Sequence, residues 1–147
     1  MPPDLKEVRR WLAKADHDRL NVEFLLEQGK PLMDIAAFHC QQAVEKLLKA
    51  YLTFREHEFE KTHDVGALTK LCARYDREFE ALLDDVEPLT AFAVRFRYPG
   101  PNDPSVAQVQ RALQAVQRVR EFLRPRISIE SGPPGTPPEG APPSSAP

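Results

Sequence analysis

The residues best equipped for chemistry lie in one short run, AFHCQQAVEKLLKAYL, from Ala37 to Leu52. Read as a helix, the run places His39, Gln42, Lys46, Lys49 and Thr53 on one face, because residues three and four apart are neighbours. Gln41 and Glu45 flank that stripe. Glu45 precedes Lys49 by four residues, the favourable order for a surface ion pair, and such a pair is worth only a few tenths of a kcal/mol. Two uses of the stripe follow from its residue types. It is either a solvated face or a polar groove that contacts a phosphate, a nucleotide or a partner helix.

The other candidate chemistry is electrostatic. Residues 76–87 hold Asp76, Glu78, Glu80, Asp84, Asp85 and Glu87 against Arg77 alone. Residues 95–126 hold Arg95, Arg97, Arg111, Arg118, Arg120, Arg124 and Arg126 against Asp103 and Glu121. Arginine is the better side chain for bidentate phosphate or carboxylate contacts. The two segments are therefore expected either to pair with each other or to recognise an anion. His17, His39, His57 and His63 share no metal-ligand spacing, the cysteines form no CxxC, and no glycine loop could cradle a phosphate. No metal or cofactor is expected. The first serine is Ser105, which leaves histidines and arginines as the groups for any catalysis. Phosphodiester cleavage would need a base near neutral pH and a cation for the developing charge, and His63 or His39 with Arg97 supplies those types.

These residues must be carried by helices, since no segment combines strict alternation with β-branched enrichment. The first helix is expected from about Asp4, its cap, to Gln28, with Gly29 and Pro31 ending it. Leu5, Val8, Leu12, Ala15, Val22 and Leu26 form its apolar stripe, widened by Trp11 and Leu25. The second runs from about Leu32 to Glu56. Its small-residue stripe of Ala36, Cys40, Ala43, Leu47, Ala50 and Phe54 suits the central helix of a bundle. Thr62 is expected to cap a third helix over His63 to Tyr75, weakened by Gly66. A fourth covers about Glu78 to Arg95, with a kink or break at Pro88. RYPGPNDP, Arg97 to Pro104, forces a loop, and a last helix runs from about Asp103 to Arg124.

The chain of 147 residues suggests one domain, residues 1–124, with 20 basic against 22 acidic side chains. That balance excludes a wholly basic nucleic-acid coat. From Pro125 to Pro147 there are eight prolines and three glycines, so 125–147 is expected to be a disordered tail. Cys40 and Cys72 each sit in an apolar helical pattern and are expected as reduced core thiols. No apolar run approaches the ~18 residues of a membrane helix, and the charged N-terminus lacks a signal-peptide core. The expectation is a cytoplasmic protein with no membrane contact.

Three pieces together, FHCQQAVEKLLKAYL, KTHDVGALTKLC and RFRYPG before a final amphipathic helix, resemble the HEPN domain (higher eukaryotes and prokaryotes nucleotide-binding) over roughly residues 5–124. The resemblance implies an all-α up-down bundle of about five helices that forms a homodimer. It also implies a small nucleotidyltransferase partner encoded by a neighbouring gene, in a toxin–antitoxin or stress and defence module. Some members of the family are metal-independent ribonucleases. Their motif is an arginine followed after four to six residues by a histidine. Carried onto this chain, the resemblance marks Gln42, Glu45, Lys46, Lys49, His63, Arg97 and Tyr98, with Pro99, as a nucleotide- or partner-binding set. Counting on from Arg95 or Arg97, the histidine window Gly100–Pro104 holds Asn102 and Asp103 but no histidine, and an amide does not titrate near pH 7. The expected function is thus a non-catalytic module that binds a nucleotide or the nucleotidyltransferase. Two alternatives are a ribonuclease toxin using Arg97, Arg95 and His63, with RNA as substrate, and a structural helical dimer with no ligand.

Overall fold

The computed structural model describes residues 3–28, 32–59, 61–95 and 103–128, apart from the side chains of residues 93 and 94. Five α-helices follow in order: α1 Leu5–Gln28, α2 Met33–Phe54, α3 Val65–Ala73, α4 Leu83–Arg95 and α5 Val106–Leu123. Two 3₁₀ turns, Arg77–Leu82 and Arg124–Arg126, precede α4 and follow α5. There is no strand among the described residues. None of the helices is long and apolar enough to cross a membrane.

Apolar spacing decides the architecture. In α1, Val8, Ala15 and Val22 recur every seventh residue and are buried. They line a narrow seam that one neighbouring helix can cover. That neighbour is α2, which runs antiparallel to α1 and also touches α3, α4 and α5. Of its expected stripe, Ala36, Cys40, Ala43 and Ala50 are fully buried, Leu47 nearly so, and Phe54 partly, packed against the core. Small side chains let the surrounding helices approach closely enough to pack a single continuous core around α2. At one end Tyr51 of α2, Phe79 of the first 3₁₀ turn and Phe122 of α5 stack in series, with ring centroids 4.6 and 4.8 Å apart. Cys40 and Cys72 are free buried thiols, as their apolar setting implies.

Helix boundaries follow local hydrogen bonding. Asp4 accepts the Glu7 N–H at 3.2 Å and caps α1 as expected, whereas Gly29 and Pro31 lie outside the described residues. Asp64, not Thr62, caps α3. Its carboxylate accepts the Ala67 N–H at 3.1 Å, while the Thr62 hydroxyl accepts from Asp64 N and only shapes the approach. At Gly66 an added Cβ would stand 3.0 Å from Glu87 Cγ, so a larger residue would have to displace that side chain. The break expected at Pro88 falls earlier, at the change from 3₁₀ to α between Leu82 and Leu83. Pro88 is exposed inside α4, where it removes one intrahelical bond without ending the helix. α5 begins three residues later than expected because Ser105 and Gln108 close a capping box, with reciprocal bonds of 3.0 and 2.8 Å. The packed body also continues past Arg124: Arg126 is held by other elements and Ile127 is 9% exposed.

α2 ends in an unusual way. His57 N–H bonds Leu52 O and Glu56 N–H bonds Thr53 O, at 2.9 and 3.0 Å, which is the Schellman pattern. The left-handed position in that pattern, normally glycine, is Glu56 at φ 57°. A side chain there costs about 1–2 kcal/mol, and glycine returns about 0.4–1 kcal/mol of that through the unfolded chain. Glu56→Gly should therefore stabilise the fold by up to about 1 kcal/mol, raising Tm by roughly 2–4 °C. Thermal and urea unfolding of the variant measure this, and a lowered Tm would show that the Glu56 side chain makes up the strain elsewhere.

Candidate functional site

The polar stripe of α2 is neither a solvated face nor an open groove. It is covered by α1 and by the turn that leads into α3. Asp18 projects from α1 and is 5% exposed; its two oxygens take His39 Nδ1 at 2.7 Å and Lys46 Nζ at 2.6 Å. On α2 itself, directly before Lys46, Glu45 is 3% exposed and gathers three partners. Lys49 Nζ donates to its Oε2 at 2.9 Å, while Gln41 Nε2 and His63 Nδ1 approach its Oε1 at 3.1 and 2.8 Å. Gln41 Nε2 also donates to the His63 carbonyl at 2.7 Å, and Gln42 Nε2 donates to Gln41 Oε1 at 2.8 Å.

Why these groups tolerate burial is an electrostatic matter. A lone buried carboxylate or ammonium costs several kcal/mol in lost hydration, so each must meet its counter-charge at good geometry. Burial pushes the Asp18 carboxyl up, but the bonds from His39 and Lys46 outweigh it and hold the group below its ordinary range. Glu45 follows the same pattern: burial raises it, and the bonds from Lys49, His63 and Gln41 bring it below the usual value. Both are therefore ionised at neutral pH, and an ionised carboxylate only accepts. His39 and His63 thus carry a proton on Nδ1 and donate it. Lys49 gains a further cover, with Nζ 5.5 Å from the Trp11 ring centre and 5.7 Å from that of Phe59.

Of the residues singled out from sequence, Gln42, Glu45, Lys49 and His63 come together around Glu45, and Lys46 joins His39 on Asp18 in a second cluster on the same helix. The Glu45–Lys49 pair is buried, not the surface pair expected from i, i+4 spacing, because α1 lies over it. His63 differs from the rest. Its side chain is 77% exposed, and its one side-chain bond among the described residues is through Nδ1. Arg95 ends α4 and is exposed, away from this network in sequence. Arg97, Tyr98 and Pro99, with the histidine window, lie outside the described residues. Asp18 was not anticipated, although a signal exists. Trp11, Asp18 and Leu25 recur every seven residues beside the buried Val8, Ala15, Val22 series, so Asp18 occupies a core slot that calls for a cation.

A second feature lies between α4 and α5. The acidic and basic segments do pair within the fold. Arg118 bonds Asp85, and Arg126 bonds Asp76 and Glu78 at 2.8 and 2.5 Å while its guanidinium lies 3.6 Å over the Phe122 ring. What remains is a groove of about 450 Å³ with a floor that includes Leu89, Phe92, Ala112 and Ala115 and a rim that includes Asp84 and Arg111. That volume falls within the roughly 300–1,000 Å³ of small-molecule and peptide-sized clefts. No group of three or more His, Cys, Asp or Glu among the described residues could hold a metal ion.

The family model of the HEPN domain matches residues 8–126. The fold is similar to the crystal structure of an archaeal HEPN homologue, with a TM-score of 0.66 at 17% identity over 82% of this chain and 98% of that one. Among curated proteins none matches this sequence.

The buried pairs give a signed prediction for acid. Carboxyls held below their ordinary values, 3.8 for Asp18 and 4.5 for Glu45, bind fewer protons folded than unfolded over that range. Their contribution is complete above pH 4.5 and is lost as pH falls through the lower folded values. Glu45→Gln should cost about 3–5 kcal/mol at pH 7, since it strands Lys49, and should flatten the acid limb below pH 4.5. Urea titrations of both proteins from pH 7 to pH 3 measure it; an unchanged limb would place the acid sensitivity elsewhere.

Proposed function

Because this chain belongs to the HEPN domain family, we propose that it is a non-catalytic HEPN module that works by binding. The partner is a small nucleotidyltransferase encoded by a neighbouring gene, within a toxin–antitoxin or stress and defence module, and the HEPN chain acts as a homodimer. One observation carries this reading: Lys46 and Lys49, the cations of the α2 stripe, are already spent on the buried carboxylates of Asp18 and Glu45. They have no charge to offer a phosphate. The absence of histidine from Gly100–Pro104 argues in the same direction against phosphodiester cleavage. Recognition then falls to the α4–α5 side, where an apolar floor meets Arg111, which has no ion-pair partner among the described residues. Interfaces of this make-up, an apolar centre with an arginine at its edge, suit a protein partner better than a free nucleotide.

A second reading rests on His63. Its Nδ1 bonds Glu45 at 2.8 Å and its ring is otherwise largely exposed, the arrangement of an oriented general base. With Arg95 and Arg97 as cations, His63 would serve a metal-independent ribonuclease.

Co-purification with the neighbouring nucleotidyltransferase, followed by calorimetry, tests the first reading. Arg111→Glu should weaken binding about tenfold or more without lowering Tm, and equal affinity of variant and parent overturns that assignment. Incubating the protein with RNA in EDTA separates the second reading. Intact RNA supports a binding module. Cleavage that disappears in His63→Ala establishes the ribonuclease instead.

A further inference from the structure

Residues beyond Ser128 are proline-rich, and their charged side chains are Glu130 and Glu139, both acidic. The chain leaves α5 at a defined point. Arg126 is clamped to Asp76 and Glu78, Ile127 is seated on the core, and its backbone is extended at φ −120° and ψ 110°. From there the α4–α5 groove lies back along α5. Its basic rim is Arg111 and Arg118, of which Arg118 already neutralises Asp85. Arg111 is exposed and has no ion-pair partner among the described residues.

We propose that the segment Thr136–Pro143 of this same chain docks in the α4–α5 groove, with Glu139 on Arg111. Reach selects the pair. Arg111 lies seventeen residues before Ser128, or about 26 Å back along α5 at the helical rise. Glu139 lies eleven residues after Ser128, which in polyproline II geometry spans about 34 Å. Glu130, two residues past Ser128, covers only about 6 Å and falls short of Arg118, about 15 Å away. Composition selects the binding mode. Polyproline segments lose little chain entropy on docking and stack proline rings on apolar, aromatic-containing surfaces. Pro137, Pro138, Pro142 and Pro143 supply the rings, and Leu89 and Phe92 supply the floor. The acidic α4 rim at Asp84 keeps Glu139 on the α5 side and so sets the direction of the segment. Such a contact makes the tail an internal competitor for whatever docks on this face. In that respect it rests on the reading of the groove as a docking surface.

The test uses the full chain carrying a spin label at Ala141→Cys. Burial pushes the Cys40 thiol up to about 12 and raises that of Cys72 as well, so the label goes to the introduced thiol. Paramagnetic broadening should concentrate on the amides of residues 106–112, since residue 141 lies about 6 Å past Glu139 toward the start of α5, and spare the outer face of α1 at Leu20 and Phe24. Arg111→Glu should reduce it roughly two- to fivefold, the span of an exposed ion pair, and adding Glu139→Arg should restore it. Broadening spread evenly over α1 and α5, or indifferent to both charge reversals, overturns the proposal. So does broadening that passes from a labelled chain to an unlabelled one in a mixture. The measurement contains no nucleotidyltransferase. A tail signal without partner binding, or partner binding without a tail signal, therefore tells which of the two readings has failed.

Discussion

Two carboxylates, Asp18 and Glu45, are buried in the middle of a helical bundle, and most of the remaining structure is arranged around that constraint. Each must be met by a cation at hydrogen-bonding distance or the fold loses several kcal/mol. Asp18 therefore fixes where α1 lies on α2, since a slip of one helical turn would pull it away from both His39 and Lys46. Glu45 fixes the turn before α3 in the same way, through the ring and, by way of Gln41, the carbonyl of His63. Apolar contacts alone would hold these elements together with less certainty of register, because alanine and valine stripes pack nearly as well one turn along.

Elsewhere the molecule settles its charges by long-range pairing. Arg120 of α5 reaches Asp16 of α1 at 3.3 Å, Arg118 crosses to Asp85, and Arg126 closes onto Asp76 and Glu78. A chain divided in sign along its length thus becomes a body whose halves largely neutralise each other. The α4–α5 groove carries Asp84 on one rim and Arg111 on the other. There an apolar floor of Leu89 and Phe92 lies between rims of opposite charge.

Helical periodicity carries much of this architecture in the sequence itself. The stripe from Ala36 to Ala50 and the seven-residue spacing in α1 are visible without coordinates, and both face the core. Capping is readable too, but only to within a few residues: Thr62, Asp64, Asp103 and Ser105 all have suitable side chains, and tertiary packing chooses among them. The site was harder to read for a definite reason. Spacing tells which side chains share a face but not what covers that face. Lys46 and Lys49 look the same in sequence whether they meet water, a phosphate or Asp18. The clue was the carboxylate in a core position of α1, since a charge in an apolar series implies a partner to neutralise it. The run Arg97–Tyr98–Pro99 lies outside the described residues.

The two buried thiols turn the bundle into a recorder of its own openings. Cys72 sits on α3, a nine-residue helix whose sulfur lies 3.8 Å from the Leu48 carbonyl, while Cys40 lies within the central helix. Detachment of α3 carries Cys72 out of the core, whereas Cys40 stays on α2, the helix that contacts all the others. Alkylation rates at the two sulfurs therefore time separate events, the lifting of one short helix and the dissolution of the whole core, within a single unlabelled molecule.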